Sequence, residues 1–277
     1  MLQAITVENY LGEELTLSMF NPGRSGFYIK SVDGLGPSNA TINVLDIVSI
    51  DGGIYNSARE DKRNIVMTLG AYDSTNVENL RQQTYRYFPI KRKLKLTFYT
   101  DLRTVTINGY VESNEPDIFS KDVTMKISII CPSPYFYDIY ENAITFSGDD
   151  AEHIIVYDGD MDTGTKITIN CNGNVRGLKI ENHKGQYIGI NDSYLSKVIS
   201  NPGNFTEGDV IVINTITNEK SIKLTRNGTD KNILNALDRK SKWLTIGKGN
   251  NTFKVTATDG LSNMFITMTN PVLYEGI

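Results

Sequence analysis

Residues Val123-Thr-Met-Lys-Ile-Ser-Ile-Ile-Cys-Pro-Ser-Pro-Tyr-Phe-Tyr137 constrain the fold more than any other stretch of the chain. Apolar Val123, Met125, Ile127 and Ile129 alternate with polar Thr124, Lys126 and Ser128, the two-residue period of a half-buried strand. Pro132 and Pro134 then end it, since neither has the N–H that a continuing ladder needs. Three aromatics follow at once. This predicts a stiff, packed junction between two β-domains rather than a loose tether. A two-domain, all-β chain with such a waist fits a part in an assembly better than a cleft for chemistry.

The same alternation recurs throughout. In the first half it predicts strands over 3–9, 14–19, 27–32, 42–50, 64–69, 94–99, 105–112 and 122–130. Asn21-Pro-Gly23, Asp33-Gly34, Asp51-Gly-Gly53 and Asn108-Gly109 supply the turns between them. One segment departs from this period. Thr75-Asn-Val-Glu78 has the spacing of a capping box, Val77 and Leu80 begin an apolar side, and Pro89 is a stop, so a single helix is expected over 76–86. The second half reads as shorter strands over 154–157, 166–171, 177–181, 187–190, 210–214, 220–225, 243–246, 252–256 and 265–269, with a short helix near 231–237. Polar turns such as Asn172-Gly173 and Asp259-Gly260 give them the rhythm of a sandwich or jelly roll. The expected fold class is mainly β: two β-sandwich-like domains, 1–137 with one α-helix and 138–277.

With 277 residues the chain is long enough for two cores. A formal net charge of −4 argues against nucleic acid or an anionic membrane as the main partner. Cys131 and Cys171 fall one in each half, which reads as two buried thiols rather than a disulfide framework. The N-terminus alternates like a strand and has no basic start, so no signal peptide is expected; nor does any apolar run approach the ~20 residues of a membrane helix. Folding in a reducing cytoplasm follows.

Searches for chemistry end mostly in plain readings. Asp158-Gly-Asp160-Met-Asp162-Thr-Gly164 opens like a calcium loop, but its glycine falls one place late and its twelfth position is Ile169. The overlapping Gly159-to-Lys166 stretch reverses the last pair of a phosphate loop and puts carboxylates where phosphates would lie. The only histidines are His153 and His183, and no serine sits in a Gly-X-Ser-X-Gly elbow; Gly23-Arg-Ser-Gly26 is one residue short. No catalytic, cofactor-binding or metal-binding residue is therefore assigned, and the chain is read as no enzyme. Two surfaces remain. Lys91, Lys93 and Lys95 read as one face of a strand opposite Leu94, Leu96 and Phe98, which with Arg81 and Arg86 makes either a solvated face or a cationic subunit contact. Trp243, with Tyr194 and Tyr187 in the same half, is the candidate for stacking on a sugar ring, against an alternative of ordinary packing.

Ile47-Val-Ser-Ile-Asp-Gly-Gly-Ile-Tyr-Asn-Ser-Ala-Arg59, followed by Arg63-Asn-Ile-Val-Met-Thr-Leu69, resembles the first domain of the distal tail proteins of long-tailed phages with Gram-positive hosts. The 129–137 junction is similar to that family's domain boundary. Thr163-Gly-Thr-Lys-Ile-Thr-Ile169, Leu178-Lys-Ile-Glu-Asn182, Phe205-Thr-Glu-Gly-Asp-Val-Ile211 and Ile246-Gly-Lys-Gly-Asn-Asn251 resemble its galectin-like or carbohydrate-module-like second domain. The resemblance implies a homo-hexameric ring that continues the major tail tube protein and passes DNA only as cargo. It also implies anchoring of a tail-associated fibre or lysin and, in some phages, of receptor-binding proteins, in a virion assembled in the host cytoplasm. It carries over no catalytic residue and no cofactor. The alternatives are a cell-wall carbohydrate-binding module and an accessory protein of glycoside hydrolysis.

Overall fold

The computed structural model describes every residue except 49–50, 73–75, 118, 120–122, 150 and 200–202. The chain divides into two compact units, Met1–Ile139 with Tyr274–Ile277, and Tyr140–Leu273. It therefore crosses between them twice.

In the first unit the strands are β1 (Leu2–Glu8), β2 (Glu14–Ser18), β3 (Phe27–Asp33), β4 (Ala40–Asp46), β5 (Gly53–Glu60), β6 (Arg63–Ala71), β7 (Lys93–Thr100), β8 (Thr104–Pro116), β9 (Thr124–Cys131) and β10 (Phe136–Asp138). Eight of them belong to one sheet, seven in the order β2-β1-β7-β8-β9-β6-β3 and β10 paired with β8 off that path. Register explains its core. Ile65, Met67 and Leu69 stand opposite Ile129, Ile127 and Met125, while Leu96 and Phe98 stand opposite Ile107 and Val105 on one side and Val7 and Ile5 on the other. Each alternating strand thus adds its apolar residues to one continuous face, and a one-residue slip anywhere would turn that face to water. The helix α1 (Val77–Tyr87) lies within a residue of its expected span and contributes Leu80 to the same core, as does Phe88 at its C-cap. Burying each such side chain stabilises by about 1.5–3 kcal/mol.

The expected capping box falls partly outside the described residues. Thr75 lies outside the described residues, and the N-cap is Asn76, whose side chain makes no capping bond. Glu78 instead accepts from Arg81 at 2.6 Å and Gln82 at 3.3 Å. The double-proline segment packs as its aromatics suggest: Phe136 is fully buried and meets Phe98 edge to face at 5.6 Å.

The second unit has two antiparallel sheets. One runs β11 (Asn142–Ser147), β20 (Met264–Asn270), β13 (Lys166–Cys171), β16 (Val210–Asn214), β17 (Ser221–Arg226), β18 (Thr229–Asn232); the other runs β12 (Glu152–Tyr157), β19 (Gly249–Thr256), β14 (Lys179–Asn182), β15 (Tyr187–Gly189). Ile167, Ile169, Ile211, Ile213, Ile266 and Met268 bury one face of the first, and Ile155, Ile180, Phe253 and Val255 one face of the second, the pattern of a sandwich.

Three local expectations fail here. An unexpected helix, α2 (Asp192–Val198), is started by Asn191, whose side chain accepts from the Tyr194 N–H. The helix expected near 231–237 is instead the end of β18 followed by one 3-10 turn at Leu234–Ala236. The expected strand 243–246 pairs only through Ile246, which bridges to Thr163. No helix among the described residues is long and apolar enough to cross a membrane.

Candidate functional site

The lysine run is partly a strand. Lys93 and Lys95 project from β7 into solvent while Leu94, Leu96 and Phe98 on its other side are buried. Lys91 is not on that strand: it occupies a turn with φ of 64°, and its N–H donates to the Val111 carbonyl at 2.9 Å. Lys95 faces Glu8 across the sheet, Nζ to carboxylate 3.5 Å. Glu8, Asn9, Tyr10, Lys93, Leu94, Lys95 and Asn108 line a concavity of about 320 Å³. The helix arginines do not add free charge to it. Arg81 is paired with Glu78, and Arg86 grips Glu13 with two nitrogens, Nε at 2.9 Å. That grip, with a bond from Asn9, pulls the Glu13 carboxyl down from 4.5 to about 2.

The feature that sequence periodicity did not single out is the hairpin of β4 and β5. It is a two-stranded sheet of its own, and almost every residue along it is exposed. Ile42 is 61% exposed, Val44 51%, Leu45 56%, Ile54 52% and Tyr55 64%. Val44 stands opposite Tyr55, and Leu45 opposite Ile54. Since side chains of one strand alternate faces, both faces of the hairpin carry apolar groups. Alternation in Ile42–Ile50 marks a strand correctly, but it cannot say whether any layer covers it; Ile50 itself lies outside the described residues.

Arg63 was equally hidden in the sequence. It is 3% exposed and has no carboxylate partner among the described residues. Its guanidinium stands 4.4 Å from the Phe136 ring centroid and donates to four carbonyls: Pro134 at 2.6 Å, Gly34 at 2.5 Å, Gly36, and Glu275 at 2.5 Å. Burial lowers its pKa. The C-terminal tail is further held by the Ile277 N–H on the Leu35 carbonyl at 3.1 Å and by the Tyr274 hydroxyl on Asp138 at 3.2 Å. The loop that leads into the hairpin and the last residues of the chain therefore share one clamp.

In the second unit the acidic loop gathers no cation site: Asp160 pairs with Lys248 at 3.2 Å and Asp162 with Lys184 at 3.1 Å. Among the described residues no three metal-ligating side chains converge. The histidines are kept apart in structural roles. His153 stacks on Phe146 and meets Asp149 at 3.0 Å, while His183 Nδ1 accepts the Thr252 N–H at 3.2 Å. Ser25 of the near-elbow spends its hydroxyl on the turn carbonyls of Pro22 and Phe27. Trp243 and Tyr194 are both half-buried and lie on separate elements. Lys220 Nζ is 5.6 Å from the Trp243 ring, and Lys197 and Arg239 each 5.8 Å from the Tyr194 ring.

Residues 158–269 match the family described as siphovirus-type tail component, C-terminal domain. No curated protein matches the sequence. Among solved structures, the Dit (gp 19.1) protein of phage SPP1, described as a paradigm of the hub adsorption apparatus in Gram-positive infecting phages, superposes with a TM-score of 0.70 at 14% identity, over 96% of this chain and 98% of that one. A chain of the phage P2 baseplate in its activated conformation with Ca superposes with a TM-score of 0.50 at 13% identity, over 98% of both chains. At such identities the superpositions show the fold. Together with the family match they bear out the resemblance to siphophage distal tail proteins and the mainly β architecture.

Proposed function

We propose, from the premise of a structural tail-baseplate component, that this chain closes into a hexameric ring joining the tail tube to the baseplate and anchoring host-adhesion proteins. The observation that carries this reading is the β4–β5 hairpin. A two-stranded ribbon is marginally stable alone in water, and one that displays Ile42, Val44, Leu45, Ile54 and Tyr55 needs a partner to cover them. A ring is closed by heterologous contacts, in which one face of a subunit meets a different face of the next. An arm projecting from one side is suited to such a contact. Its unpaired strand edges offer main-chain groups as well as apolar side chains.

Lys93 and Lys95 are the proposed second element of that contact, meeting carboxylates of a neighbouring subunit or of the tube; Lys91, on its turn, stands at the margin. The ring carries DNA as cargo, with the major tail tube protein on one side and a tail-associated fibre or lysin, or receptor-binding proteins, on the other. Assembly takes place in the host cytoplasm before the virion is complete. The test is negative-stain microscopy of the purified protein with light scattering on the same sample. Closed rings with a central hole and the mass of about six chains support the reading. A strict monomer, both alone and mixed with the cognate tail tube protein, overturns it.

A further inference from the structure

The β4–β5 arm and the lysine surface stand at the same end of one sheet. Arg63, at the start of β6 just after the hairpin, lies opposite Cys131; its neighbour Ile130 lies opposite Tyr110, and Tyr110 opposite Lys93. With β9 and β8 between β6 and β7, arm and lysines leave the sheet from different strands. Their charges are opposite. Residues 40–58 carry Asp46 and Asp51 and no Lys, Arg or His, and neither carboxylate makes an ion pair among the described residues. Lys91, Arg92, Lys93 and Lys95 put four cations within five residues, a density found nowhere else in the chain. Of these only Lys95 has a carboxylate within 4.0 Å among the described residues, Glu8 at 3.5 Å. Their apolar character is shared. Exposed Tyr110 lies beside Lys93, and exposed Tyr10 has Arg92 5.1 Å from its ring centroid, at the rim of the 320 Å³ concavity. On the arm, Asp46 shares a face of β4 with Val44, which stands opposite Tyr55.

We infer that this surface receives the hairpin of a second copy of the chain. Asp46 and Asp51 of one copy meet Arg92, Lys93 and Lys95 of the next, and Val44 and Tyr55 cover Tyr10 and Tyr110. The inference rests on the ring reading and names which two of its surfaces meet. Opposite potentials on the two halves fix register and reject arm-to-arm or patch-to-patch pairing, as a head-to-tail contact requires. Two other exposed apolar surfaces fit less well. Met1 and Leu102, at the far end of β1 and β7, have their ammonium already paired with Asp101 at 2.6 Å. Ile154 and Val156 on β12 have a core behind them, and Lys254 stands opposite the adjacent Glu152, so that strand needs neither cover nor counter-charge.

The test exchanges the charges in the full-length protein and follows closure by sedimentation velocity and negative-stain microscopy. Lys93→Glu/Lys95→Glu and Asp46→Lys/Asp51→Lys, each alone, should raise the concentration needed for closure about tenfold or more while circular dichroism stays native. An equal mixture of the two variants should close again, since arm and patch are then opposite in sign at every joint of an alternating, even-numbered ring. Rings that close undiminished in either variant alone overturn the inference and leave the ring standing; so does a mixture that stays open. If the unaltered chain never closes, alone or with the cognate tail tube protein, Tyr55→Cys/Tyr110→Cys decides after oxidation with copper phenanthroline. Cys131 and Cys171 are buried and stay out of that reaction. Chains linked to one another, with none linked in Tyr55→Cys/Leu102→Cys, keep this contact and sink the hexamer. No link sinks both.

Discussion

Arg63 Nη2 donates to the carbonyl oxygen of Glu275 at 2.5 Å, across 212 residues of sequence. The same guanidinium holds Gly34 and Pro134, so one buried cation ties the entry to the hairpin, the double-proline segment and the chain end. Hydrogen bonds to a charged group are each worth roughly 1.5–3 kcal/mol, and a carbonyl left unpaired keeps its desolvation penalty. Arg63→Met should therefore destabilise the first unit by about 3 kcal/mol or more. Hydrogen exchange in peptides covering 34–36 and 274–277 should rise first. Unchanged protection there would show that the clamp is not what holds the tail.

Glu13 should titrate far below an ordinary carboxylate, because Arg86 and then Asn9 bond its charged form. Its folded value of about 2 lies under the unfolded 4.5, so the pairing stabilises fully above pH 4.5 and is lost as the pH falls through about 2. Carboxyl-carbon NMR titration gives the midpoint directly. In Arg86→Gln that midpoint should move back toward 4.5.

Both thiols are pushed up to about 12 by burial and should be inert to a disulfide reagent at pH 8 in the native protein. Cys131 belongs to the first unit and Cys171 to the second. Labelling with increasing urea, followed by peptide mass analysis, should report the opening of each unit separately. Reaction of either thiol without denaturant would contradict its burial.

Replacing Ile42, Val44 and Tyr55 together by Ser should leave the melting temperature of the monomer nearly unchanged, since exposed substitutions usually fall within about 0.5 kcal/mol. The ring should fail to close, as sedimentation velocity would show. Changing Lys91, Lys93 and Lys95 together to Glu should weaken the ring in the same assay while the circular dichroism spectrum stays native. An intact ring in both variants would remove both contacts from the interface.

Period-2 alternation located the strands whose two sides meet different media, as in Lys93–Phe98, where one side is core and the other largely water. Pattern fails where that contrast is missing. The hairpin alternates without a core beneath either side. Asn191-Asp-Ser-Tyr194 raised no helix expectation, because a side-chain cap uses the same residue types as a turn; the bond from the Tyr194 N–H to Asn191 is what marks the cap. Trp243–Ile246 alternates yet gains just one bridge, since its neighbours bond it through side chains: Thr245 meets Gln186 and Thr215 reaches the Leu244 carbonyl. Arg63 was illegible for another reason. Its partners are carbonyls, which leave no trace in residue identity, and one of them lies at the far end of the chain.

The double passage of the chain between the units bears on how firmly the second unit is kept. Ile139 and Tyr140, at the first passage, are 43% and 75% exposed and offer a protease an accessible target. A single cut there does not set the second unit loose, because it continues without a break into Tyr274–Ile277. From that moment the last residues are joined to the first unit by no covalent bond, and the grip of Arg63 on Glu275, of Leu35 on Ile277 and of Asp138 on Tyr274 is among what keeps them there.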